Sequence, residues 1–171
     1  MAVTDAVWFR HWTDFFLLVG TGAVTLTGLV FVAMSLNLRA VALSALHRNR
    51  AINTLTGLAL VFLRCALVLM ANEDLRSIGA ELFVVSAASG AMFVRGYVRA
   101  RRLSGGLRLT RIVGGSAIHL TEMVGATMLF FGHRAGLYVA ATAIASLTCY
   151  MITAAWLLVM GEADKEAATA T

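Results

Sequence analysis

The 171-residue chain contains no proline, a single lysine (Lys165) and only two cysteines, Cys65 and Cys149. Each scarcity excludes something. Without proline, a discontinuous helix of the kind transporters build around a substrate would have to rest on glycine. Lys165 lies outside every long apolar run, which rules out Schiff-base chemistry inside a bilayer. The cysteines both sit within apolar runs. They are too few and too far apart for a metal site, and read as small buried hydrophobes without a disulfide. The histidines, His11, His47, His119 and His133, are scattered. His119 alone is central to an apolar run, so two histidines of one chain are not placed to sandwich a haem. No phosphate-cradling glycine loop, zincin helix or nucleophile elbow is found. These absences together predict no enzyme activity, no cofactor and no metal.

Charge is scarce as well. Charged residues make up 13% of the chain and hydrophobic residues 60%, where a soluble domain carries roughly a quarter charged. Such a composition points to the bilayer as the solvent for most side chains. The net charge is +5, and 13 of the 14 basic residues are arginine. Arginine-rich loops in such a chain first mean topology signals and anionic headgroup contacts. Base-reading or stacking groups beside a basic face are missing, so nucleic acid is not an expected partner.

Five apolar stretches reach the roughly 20 residues that a span requires. They are Phe15–Leu36, Ala51–Met70, Ile78–Val98, Ile112–Phe131 and Gly136–Met160. The segments between them alternate in charge. Arg39, Arg48, Arg50, Arg99, Arg101, Arg102, Arg108, Arg111 and Lys165 fall on one side; Arg10, Arg76 and Arg134 fall on the other. Nine against three predicts an outside N-terminus and a cytoplasmic C-terminus. The first span lacks a basic leader and a small-residue cleavage site, so it reads as an anchor. Trp8, Phe9 and Trp12 precede it as an interfacial aromatic belt. Leu38, Val41, Ala42, Ala45 and Leu46 continue a helical apolar period after it. The tail from Glu162 to Thr171 is small and polar and is expected to be disordered. The fold class that follows is all-α: one polytopic transmembrane bundle of five spans within residues 1–161.

Charges at mid-bilayer cost several kcal/mol and rarely face lipid. Counting about 1.5 Å per residue, Arg64 lies about 20 Å above the cytoplasmic end of its span, Glu122 about 15 Å and Glu81 about 26 Å. Arg64 therefore stands between two carboxylates in height. It can form a buried ion pair with either, line a wet cavity that attracts an anion, or snorkel along lipid. His119 precedes Glu122 by three residues and shares its helix face. That pair can relay protons, contribute to a metal site completed by oligomerisation, or hydrogen-bond structurally. Hydroxyl and glycine stripes mark the other spans: Thr21, Thr25, Gly28 and Ser35; Asn53 and Gly57; Ser86, Ser89 and Gly90; Thr142, Ser146, Cys149 and Thr153. They read first as interhelical glue, with hydroxyls bonding across helices, and second as the lining of a path. Arg99, Arg101, Arg102, Arg108 and Arg111 are the expected contact for anionic lipid or a partner.

The stretch from Asp14, "DFFLLVGTGAVTLTGLVFVAMSLNL", resembles the opening of small uncharacterised integral membrane proteins common in actinobacteria. The likeness is strongest over Leu26–Leu38. It continues weakly to "GLYVA" at Gly136 and "WLLV" at Trp156. The resemblance implies a five-span membrane architecture and carries no activity and no site residues.

Two functions follow as expectations, both placed in the cytoplasmic (inner) membrane. One is a small homo-oligomeric ion channel with Arg64, His119, Glu122 and Glu81 near its path, favoured because intramembrane ionisable groups are functional by default. The other is an accessory or regulatory subunit of a larger membrane complex, in which the same groups are glue.

Overall fold

The computed structural model describes the backbone of residues 2–36, 45–70, 74–104 and 109–169, and side chains over 12–36, 48–70, 74–96, 98 and 113–156. Among the described residues five helices follow one another: α1 (Ala2–Leu36), α2 (Ala45–Met70), α3 (Leu75–Ser104), α4 (Leu109–Phe130) and α5 (Ala135–Thr169). Each contains one of the five apolar stretches almost whole. α1 begins well before Phe15, so the aromatic belt is part of the same rod. Residues 37–44, with Leu38, Val41 and Ala42 of the expected extension, lie outside the described residues, as does Arg108. α5 is helical through residues 162–169, where the sequence reading expects a disordered tail. "EADKEAA" is rich in strong helix formers, and propensity extends the rod.

Four helices are long and apolar enough to cross a membrane: Trp12–Leu36 in α1, Arg48–Met70 in α2, Leu75–Gly96 in α3 and Ala135–Trp156 in α5. Over its described residues α4 is not among them. It carries His119 and Glu122, three glycines and several hydroxyls, and these dilute its hydropathy. The described residues are therefore all-helical, and the length and composition of four helices make the chain a multi-pass membrane protein.

Burial runs in the sense a bilayer requires. Leu18, Phe31, Leu36, Met70 and Phe131 are exposed, while Arg64 and Glu122 are fully enclosed. Apolar surface outside and polar groups inside is the arrangement in which lipid replaces water as solvent. The interior is not only polar. Phe16, Leu58, Leu82, Leu129, Leu137 and Ile144 are fully buried around the charged centre.

Local signals fix the helix ends. Asp74 caps α3, its carboxylate accepting from Ser77 N at 3.2 Å and Ser77 Oγ at 2.6 Å. Three exposed amides of a first turn are otherwise unsatisfied, which is why Asp is favoured there. α4 stops at Gly132, whose φ is +82°. Gly132 N donates to Leu129 O at 2.8 Å and His133 N to Met128 O at 2.9 Å, the paired bonds that close a helix through a left-handed glycine. The short turn returns the chain as α5. A Cβ at Gly125 would stand 2.7 Å from Ala140 N, and one at Gly136 would stand 2.5 Å from Gly125 O. Only glycine lets these two backbones approach so closely.

The closest packing joins α3 to α4, α4 to α5, and α1 to α2; α2 also packs on α3 and α5, and α1 on α5. α2 and α4 have no comparable backbone contact. They face each other across the bundle, and a long side chain joins them.

Candidate functional site

That side chain is Arg64. It leaves the last third of α2 and its Nε donates to Glu122 Oε1 of α4 at 2.5 Å, with both side chains fully buried. Nη2 donates to Ser89 Oγ of α3. One guanidinium thus ties three helices. Its reach and rigid fork of donors suit it to this in a way that lysine would not match.

Ser89 extends the chain of contacts. Its Oγ lies 3.1 Å from Ser86 O and 3.5 Å from His119 Nδ1. A hydroxyl has one proton and two lone pairs. The shorter contact directs that proton to the carbonyl, which leaves the lone pairs to face Arg64 Nη2–H and the His119 ring. His119 is buried on α4, with the Phe93 ring 5.8 Å away, and Phe93 in turn meets Tyr150 of α5 at 6.4 Å. Ser86 stands beside the Glu122 carboxylate, with its Oγ outside hydrogen-bond geometry. The buried polar face of α3 is thus Ser86 and Ser89, on the same stripe as Gly79 and Leu82.

Three of the four residues singled out in the spans come together: Arg64, His119 and Glu122. Glu81 does not join them. It lies exposed on α3, off the buried stripe. Depth alone left both carboxylates open to Arg64; angular position on the helix separates them. Ser86 and Ser89 are the members that charge-based reading underrated. Their signal was the i, i+3 hydroxyl pair facing a buried arginine. The side chains of Arg99, Arg101, Arg102 and Arg111 lie outside the described residues, although their backbones belong to α3 and α4.

Ser89 bonds across helices as expected of the stripes, while exposed hydroxyls of α1 and α5 bond within their own helices. Thr25, Ser35, Thr142, Ser146 and Thr153 are exposed, and each donates to a carbonyl three or four residues earlier in its own helix. Back-bonding satisfies the proton locally and lets a hydroxyl sit in lipid. Cys149 is exposed on the α5 stripe, Cys65 is buried beside Arg64, and both are free. Among the described residues no three metal-ligating side chains gather.

Chemically, the centre is a charge-balanced cluster. It joins one permanent cation and one carboxylate through direct hydrogen bonds, with a serine and a histidine completing the line. Outside the membrane-spanning segments, Asp74 is held below its usual carboxylate range by its hydrogen bonds from Ser77 and the Arg76 amide. Comparison of the chain with family models, curated proteins and solved structures finds no match.

Proposed function

We propose that the chain crosses the cytoplasmic membrane five times and serves as an accessory or regulatory subunit of a membrane complex, without transport or catalytic activity of its own. The observation that carries this reading is the enclosure of Arg64 and Glu122, both without solvent exposure and bonded to each other. A permeant ion needs groups that face its path and release it again. Here the ionisable groups at mid-depth are engaged with one another inside a single protomer. For the fifth crossing, the 22 residues of α4 extend about 33 Å, which spans the roughly 30 Å of hydrocarbon. Its ionisable groups, His119 and Glu122, point inward, so its low hydropathy does not measure what lipid meets. The distribution of arginine supports an outside N-terminus. Partners on this reading are anionic lipid and another membrane protein.

The channel reading rests on a different feature. Thr142, Ser146, Cys149 and Thr153 form one exposed polar stripe along α5. Symmetric assembly would gather such stripes around a shared axis. Liposome flux distinguishes the two. The purified protein, reconstituted and followed with dyes for protons, potassium and chloride, is expected to leave vesicles tight. Flux that disappears in Ser146→Leu, with the oligomer intact, would overturn the accessory reading and place the path along α5.

A further inference from the structure

The central cluster has more polar atoms than its direct contacts satisfy. Arg64 uses Nε and Nη2, which leaves Nη1 without a hydrogen-bond partner among the described residues. Glu122 uses Oε1, which leaves Oε2 in the same condition, and Ser86 Oγ, close to the same carboxylate, makes no hydrogen bond of good geometry. All three residues are fully buried. In hydrocarbon an unsatisfied polar atom costs several kcal/mol, so such atoms are rarely left bare.

The chemistry of the three atoms selects an occupant. Nη1 offers only protons, Oε2 only lone pairs, and the serine hydroxyl offers both. A cation would meet the guanidinium and an anion would meet the carboxylate, while the pair itself is already balanced. A neutral molecule that both donates and accepts is required, and it must be small enough to sit between packed helices. We infer that the Arg64–Glu122 pair is hydrated: internal water is held between helices α2, α3 and α4, bonded to Arg64 Nη1 on one side and to Glu122 Oε2 and Ser86 Oγ on the other. Buried waters with about three polar partners are an ordinary structural component of proteins. The seam between α2 and α4 is therefore wet at its centre although the helices around it are closed by leucine and phenylalanine. This holds whether the chain is an accessory subunit or a channel.

Water-edited magic-angle-spinning NMR tests this on the full-length protein, isotopically labelled and reconstituted in deuterated lipid. Magnetisation starts on water and is read at side chains. Transfer to the Arg64 guanidinium and the Glu122 carboxyl carbon is expected to build up several-fold faster than transfer to Leu58, Leu82 and Ala126, their buried apolar neighbours. In Ser86→Ala, which removes one arm of the site at nearly constant volume, the Glu122 build-up should slow several-fold while the Leu58 signal is unchanged. Build-up at Arg64 and Glu122 no faster than at those apolar residues would overturn the inference. It would mean that the three atoms find each other or backbone carbonyls directly. Equal build-up at Glu122 in wild type and Ser86→Ala would overturn the assignment of the serine.

Discussion

At the scale of the residue, two carboxylates show how placement decides role. Glu122 is enclosed and answers an arginine; its worth lies in what its removal would leave bare. Asp74 is exposed, and its role is local, satisfying the first turn of α3. Because its folded pKa is depressed below 3.8, the cap contributes stability above that pH and loses it as pH falls through the lower folded value. Protection of the Arg76 and Ser77 amides against hydrogen exchange should therefore decline below pH 3.8 in the wild type. In Asp74→Asn, which keeps an acceptor but does not titrate, protection should be flat over the same range. Equal pH dependence in both proteins would remove Asp74 from the account. The mid-bilayer charges were the most legible residues in the sequence, because the energetics of hydrocarbon leave them few places to be. Which carboxylate meets Arg64 was less legible. Height follows from counting, but Glu81 and Glu122 differ in the face their helices turn inward, and that depends on the packing of neighbours.

At the scale of the element, the helices were legible from apolar length, but their ends were less so: α1 begins at Ala2 and α5 runs to Thr169, because helix propensity carries the rods beyond their apolar spans. Which small residues matter was not legible. Gly114 and Gly125 look alike in a glycine-bearing helix, yet a Cβ at Gly114 meets nothing within 4 Å and one at Gly125 runs into the α5 backbone. Gly114→Ala should leave the bundle unchanged or stabilise it by up to about 1 kcal/mol through helix propensity. Gly125→Leu should force α4 and α5 apart and cost about 1–3 kcal/mol or more as overpacking. Thermal unfolding in mild detergent checks both, and equal effects of the two changes would refute the close crossing. The hydroxyl stripes carry the same lesson. A threonine can bond across an interface or back to its own helix, and sequence periodicity does not distinguish these. The exposed ones here chose the second.

At the scale of the whole molecule, the fold turns a soluble protein's distribution outside in. Apolar side chains cover the exterior, and a charge-balanced line of Glu122, Arg64, Ser89 and His119 lies within. α2 and α4 are not packed neighbours, so the arginine acts as a strut across the bundle rather than as a clasp between adjacent helices. Such a pair contributes little net stability compared with an apolar core of the same shape, while loss of either partner strands the other. The central claim is that Arg64 and Glu122 serve each other, and a double-mutant cycle tests it most directly. Unfolding of the detergent-purified protein would be measured for Arg64→Met, Glu122→Leu and the pair together. The account predicts that each single change loses about 3–5 kcal/mol and that the double change recovers most of the loss. Single losses that simply add in the double variant, or single changes without effect, would contradict it.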